Sequence, residues 1–232
     1  MADPWPDHLV RHVRQPIAGH GVSVEAAVLP VSDMRRLLTA ARGYVASDDP
    51  RVAAANLVAM VLAWNTPFYP LYLRGAAGEG MWPGGWLTLC VFPFFLLVPA
   101  MTRRSPLWGR VLLAVTGAGN TLFCTWLLGE ASGTQMFLLP CIALAGLLFR
   151  RSETVPLFSL LGLPILAGIL LDGRYPASPF VCSGSGCAGL VWLNAFSVAI
   201  LTAFLGLLAT GLVRETAAPG DPPTHPPETP RR

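Results

Sequence analysis

Residues 190–213 read LVWLNAFSVAILTAFLGLLATGLV, with no Asp, Glu, Lys, Arg or His among them. As a helix this stretch is about 36 Å long, enough to cross the roughly 30 Å hydrocarbon layer of a bilayer. It is apolar on every side, whereas a surface helix of a soluble protein turns a solvated face outward every few residues. Five further uncharged segments precede it, at 52–73, 82–101, 111–128, 135–149 and 155–171. The six make up half of the 232 residues, and all 16 basic and 13 acidic side chains fall in the other half. A soluble domain carries about 25% charged residues; this chain carries 12%. The expected fold is all-α: a polytopic membrane protein of six transmembrane helices joined by short loops. A porin-like barrel is excluded, because its strands alternate apolar and polar residues and LVAMVLAW and VFPFFLLV do not. The net charge of +3 is too small and scattered for a phosphate-binding surface, so no nucleic-acid partner is expected.

Arginine gives the orientation. The chain has no lysine. Arg11, Arg14, Arg35, Arg36, Arg42 and Arg51 precede the first segment. Arg103, Arg104 and Arg110 lie between the second and third, Arg150 and Arg151 between the fourth and fifth, and Arg214, Arg231 and Arg232 after the sixth. Arg74 and Arg174 alone fall in the alternate loops. The positive-inside rule then puts both termini in the cytoplasm. The Ala/Gly/Pro/Arg-rich composition suggests a GC-rich bacterial genome, so the expected location is a bacterial inner membrane. The first 51 residues carry no compact apolar core after a basic start, so no cleavable leader is expected.

Three regions follow. Residues 1–51 form a cytoplasmic segment in which Ser32 or Asp33 can cap an amphipathic helix of about 33–45. Met34, Leu37, Leu38 and Ala41 gather on one side of it. Such a helix either lies on the inner leaflet or simply leads into the first span. Residues 52–213 form the membrane domain. Residues 214–232, rich in proline, are expected to be a disordered cytoplasmic tail.

Within the spans, Ala55, Ala59 and Ala63, and Ala114 with Ala118, recur every four residues, the spacing that lets helices approach closely. Asn65-Thr66-Pro67 is the expected kink. Cys182 and Cys187 flank SGSG in the longest outer loop and form a candidate disulfide. A metal site is not expected from one cysteine pair without histidine.

Ionisable groups inside spans mark pumps, ion-coupled carriers and voltage sensors, and these spans have none. The four histidines, His8, His12, His20 and His225, all lie in the tails. Gly129-Glu130-Ala131-Ser132-Gly133 has the outline of an intramembrane serine protease motif, but Ser132 lacks a base. The chain is therefore read as no enzyme and as needing no cofactor. Uncharged polarity remains. Trp64, Asn65, Trp126, Gln135, Phe137, Trp192 and Asn194 fall near the outer ends of spans, with Asn120 deeper. Apolar walls with a few amide and aromatic groups suit a small uncharged ligand. Asn65, Asn120, Trp126, Gln135, Phe137 and Asn194 are the candidate ligand-binding residues. The plainer readings are interhelical hydrogen bonds for the amides and an interfacial belt for the tryptophans.

The stretch NTLFCTWLLGEASGTQMFLLPCIALAGLLFRRSE, Asn120 to Glu153, resembles the middle of six-helix membrane sensor regions. These occur in bacterial class III adenylate cyclases and in sensor histidine kinases, including the autoinducer type. Asn120, Leu128-Gly129, Ser132-Gly133, Phe137-Leu138 and Leu147-Leu148-Phe149 carry the resemblance. It implies a membrane part that receives a signal and passes it to a catalytic partner through a cytoplasmic helix, and it implies a dimer. Residues 214–232 do not resemble a catalytic segment, so no cyclase or kinase chemistry is expected from the residues that follow the sixth span. The expectation is a sensor-like module that binds a small uncharged or lipid-like signal and acts on a cytoplasmic cyclase or kinase. The alternative is a non-receptor scaffold, or a facilitator for a neutral solute, in the lipid bilayer.

Overall fold

In the computed structural model, residues 31–180, 182 and 184–217 are described. The expected disordered tail from 218 onward, and the side chains of Met34, Leu37, Leu38 and Ala41, lie outside the described residues. Two units are distinguished, Met1–Thr39 and Ala40–Arg232. Of the first, the described part is the opening of helix α1 (Val31–Val45). That helix starts two residues earlier than Asp33, so Ser32 and Asp33 lie inside its first turn rather than at its cap.

All regular secondary structure in the described residues of the second unit is helical. It runs α2 (Pro50–Asn65), α3 (Tyr69–Ala77), α4 (Trp82–Leu87), α5 (Phe92–Arg104), α6 (Pro106–Leu128), α7 (Leu138–Leu148), α8 (Thr154–Leu171) and α9 (Ser185–Ala217), with short 3-10 turns between several of them. Proline punctuates it. Pro50, Pro67, Pro70, Pro83, Pro93 and Pro106 each stand at the first or second position of a helical segment, where the missing N–H would have no partner anyway. The expected break at Asn65-Thr66-Pro67 is where α2 gives way to a 3-10 turn, Thr66–Phe68. There Thr66 Oγ1 donates to Leu62 O at 2.7 Å.

Five stretches are long and apolar enough to cross a membrane: Pro50–Ala77, Glu79–Arg104, Pro106–Leu128, Thr154–Leu171 and Ser185–Leu212. The segment expected as a sixth full span, 135–149, is a shorter apolar helix, Thr134–Leu148. Its backbone leaves helical geometry at both ends. Gly133 adopts a left-handed conformation before it, and Phe149 is extended after it. The last turn of α7 leaves carbonyls without helical partners. Arginine side chains from α2 and α6 take up those of Leu147, Leu148 and Phe149. Helix α9, by contrast, continues through Ala217, beyond the expected boundary at 213.

Close packing follows the small residues. Ala55, Ala59 and Ala63 of α2 are buried against Phe95 and Val98 of α5, Leu113 and Ala114 of α6, and Leu144, Ala145 and Leu148 of α7. A second, smaller cluster joins Leu73, Met81, Leu127, Leu128, Cys182 and Leu190. Two glycines allow backbone contacts that no side chain would. A Cβ at Gly109 would sit 2.6 Å from Thr102 N, and one at Gly189 would collide with Ala76 O, where α9 crosses α3. Much of the outward surface is apolar: Phe158 and Ile169 of α8 and Phe196 and Leu207 of α9 are exposed. Large outward apolar faces of this kind suit lipid rather than water.

Candidate functional site

Helix α6 carries Gly117, Asn120, Thr121 and Cys124 at spacings of three and four, which put them on one face. That face, together with α2, α5, α7 and α9, surrounds a cavity of about 130 Å³. Val58, Leu62, Val91, Phe95, Leu144, Leu201 and Leu205 form its apolar wall. Asn65, Thr66, Tyr69, Thr88, Asn120, Thr121, Thr134, Cys124 and Cys141 bring neutral polar groups to it. Its lining contains no charged side chain.

Asn65, Asn120 and Phe137 line this cavity. Trp126, Gln135 and Asn194 do not. Trp126 follows Asn120 by six residues, which turns it about 120° away from the cavity face. It is 36% exposed and its ring meets Phe123 at 5.8 Å. Gln135 sits in a 3-10 turn, whose three-residue period brings Thr134 and Phe137 to the cavity and sets Gln135 a third of a turn aside. Asn194 is fully buried and joins three elements. Its Nδ2 donates to Ser132 O at 2.9 Å, and its Oδ1 accepts from Tyr69 Oη at 3.2 Å. Trp64 and Trp192 point outward, each 77% exposed.

Below α6, near its start, lies a group that sequence reading treats only as an orientation signal. Arg110 is 3% exposed. Its Nη2 meets Glu153 Oε1 at 2.5 Å, and its Nη1 donates to Glu153 Oε2 at 2.8 Å and to Leu148 O at 2.7 Å. Arg51 Nη1 donates to Leu147 O at 2.6 Å and to Phe149 O at 3.1 Å. Arg150 Nη2 meets Asp49 Oδ2 at 3.0 Å, while Asp49 Oδ1 caps α2 by accepting from Arg51 N. Hydrogen bonds from Arg110 hold the Glu153 carboxyl below the usual carboxylate range, against a smaller opposing effect of burial. Nothing in the spacing of Arg110 and Glu153 announces their pairing. The cavity face of α6 was findable, since its small and polar residues keep helical period.

The end of α1 is fastened to this same region. Asn56 Nδ2 donates to Val45 O at 3.0 Å, and Thr102 Oγ1 donates to Asn56 Oδ1 at 2.9 Å. Tyr44 Oη donates to Leu96 O, and Arg103 Nη2 donates to the carbonyls of Gly43 and Tyr44.

At the opposite end the ion pair, Arg74 with Glu79, is exposed, Glu130 accepts from Gly173 N at 2.8 Å, and the buried contacts are neutral. Ser132 Oγ donates to Gly129 O at 2.6 Å, and Thr134 Oγ1 lies 3.2 Å from Thr125 Oγ1. The loop after α8 folds over α6, with Ser178 Oγ and Phe180 N both donating to Leu127 O. Cys182 and Cys187 are joined there, Cα to Cα 5.1 Å, tying that loop to the first turn of α9. Among the described residues, no cluster of three His, Cys, Asp or Glu is placed to hold a metal ion.

Comparison with known proteins adds one finding. The family model MASE7 matches residues 41–213. No curated protein and no solved structure matches the chain.

Proposed function

The chain belongs to MASE7, a family of membrane-associated sensor domains, and from that premise we propose that it is a six-crossing bacterial inner-membrane receptor module. It binds a small uncharged or lipid-like signal and modulates a signalling partner, a cyclase or kinase in the cytoplasm. It performs no chemistry of its own. The observation that carries this reading is the neutral cavity between α2, α5, α6, α7 and α9. Apolar walls with a few polar groups are the usual form of a small-molecule site.

The rest of the proposal follows from how that cavity is connected. Helix α7 lines it with Pro140, Cys141 and Leu144, and its last carbonyls are held by Arg51 and Arg110. Movement of α7 on ligand binding is thus passed to Asp49 and Arg51 at the start of α2, next to α1. Thr134–Leu148 reaches from the level of Thr125 to that of Arg110 on α6, which supports counting it as a crossing. Arginine distribution supports cytoplasmic termini.

A ligand that binds the folded state raises its apparent stability. Purified protein challenged with a lipid and metabolite extract is expected to show a higher Tm. Asn120→Leu should abolish the shift and Gln135→Leu, outside the cavity, should keep it. No shift, or one insensitive to Asn120→Leu, contradicts the reading.

A further inference from the structure

Which hydrogen-bonding groups of the cavity are still unengaged indicates what kind of molecule it takes; this step rests on the receptor reading above. The hydroxyl protons are already committed within the protein. Thr66 Oγ1 donates to Leu62 O, Thr88 Oγ1 to Gly85 O and Thr121 Oγ1 to Gly117 O, all one turn back or less. Tyr69 Oη donates to Asn194 Oδ1. Thr125 and Ser132 give their protons to Thr121 O and Gly129 O, so the Thr134 hydroxyl donates to one of those two side chains.

Asn120 differs. Its Oδ1 accepts from Cys124 Sγ at 3.5 Å, one turn on. The Nδ2 group, with two N–H donors, donates to no described residue, and neither does the side chain of Asn65 at the end of α2. Both line the cavity, Asn120 half-buried and Asn65 exposed at its edge, so Asn120 is the donor that faces the apolar wall. Unengaged amide donors beside an apolar wall call for a ligand atom that accepts. Charge on that ligand is disfavoured, because no ionised side chain lines the cavity to pair with it.

We propose that the cavity takes a neutral molecule with an apolar body and one hydrogen-bond-accepting oxygen, of the ester, ketone or ether class. The Asn120 amide receives that oxygen, and Asn65 stands at the rim. Carboxylates, alkylammonium ions and plain alkanes of the same length are discriminated against. A site built to donate to an acceptor rejects the analogue that lacks it, since its own polar groups then go unpaired.

The test uses the full chain in lipid nanodiscs and four probes: methyl octanoate, octanoate, octylamine and n-nonane, at matched membrane concentrations. Methyl octanoate should raise Tm in a saturable way, with the other three giving little. Asn120→Leu should weaken its apparent affinity at least tenfold, Asn65→Leu less, and Gln135→Leu not at all. Should Asn120→Leu fail to fold, the four-probe series on the unaltered chain decides alone. Equal saturable shifts with n-nonane or octanoate overturn the acceptor assignment while leaving a receptor cavity standing. An ester shift indifferent to Asn120→Leu, or no shift with any probe, also overturns the assignment. The extract experiment tests the receptor reading separately.

Discussion

At one end of the bundle, guanidinium groups from α2 and α6 hold the last carbonyls of α7, Glu153 pairs with Arg110, and Asp49 pairs with Arg150. At the other end, hydroxyls, one buried amide and a disulfide hold together α3, α6, α9 and the turn before α7. The difference is one of what each contact costs to break. The Arg110–Glu153 pair, unlike the exposed Arg150–Asp49 pair, sits at low exposure, and losing one partner there leaves an uncompensated charge. Neutral hydrogen bonds leave a smaller penalty, and within membranes their net contribution is modest. The cavity lies between these two kinds of fastening, and α7 runs from one to the other.

Substitutions at the two ends should therefore differ in size. Arg110→Met strands Glu153, which water still reaches, and the Leu148 carbonyl, and should destabilise the protein by about 3 kcal/mol, the low end for a broken buried pair. Unfolding in mixed micelles measures it. Replacing Glu153 by leucine in the same chain should recover part of the loss, which would show that the charge and not the packing dominates. Cys182→Ser with Cys187→Ser removes a short closed loop and should cost about 2 kcal/mol. Asn194→Leu, at the neutral end, should cost about 1–2 kcal/mol by leaving Tyr69 Oη and Ser132 O without their partner. If Asn194→Leu proves worse than Arg110→Met, the contrast between the ends fails.

Acid offers a finer probe of the charged end. The Glu153 carboxyl is held below its ordinary value by Arg110. Its contribution to stability is complete above the unfolded carboxylate value, about 4.3 for glutamate. It is lost as pH falls through the lower folded value. Thermal stability should decline below about pH 5 for this reason, and Glu153→Gln should flatten that part of the profile. A profile unchanged by Glu153→Gln would remove the ion pair from the account.

Much of the helical architecture was legible from residue order. Uncharged runs located the helices within a few residues, and the alanine rows on α2 and α6 are buried as their spacing implied. Five of the runs are long and apolar enough to cross, while the fourth is shorter. That run is already short in the sequence, but what holds the end of α7 could not be read there, because the arginines come from α2 and α6, far away in sequence. The same reason hid the Arg110–Glu153 pair. Of the candidate ligand residues, Asn65, Asn120 and Phe137 line the cavity. Trp126 and Gln135 miss it by a third of a turn, a distinction that polarity and position along a span cannot make without helical phase. Asn194 has the right depth, but its amide is used in tying α9 to α3 and to the turn at Ser132.

The central claim is that the arginine-rich end and the disulfide end face opposite sides of the membrane, with Thr134–Leu148 crossing between them. It is tested most directly by cysteine labelling in intact cells, in a chain with Cys90, Cys124 and Cys141 replaced. Ala131→Cys should react with a membrane-impermeant maleimide added outside, and Ser152→Cys should react only after permeabilisation. Labelling of both positions from the same side would contradict the account.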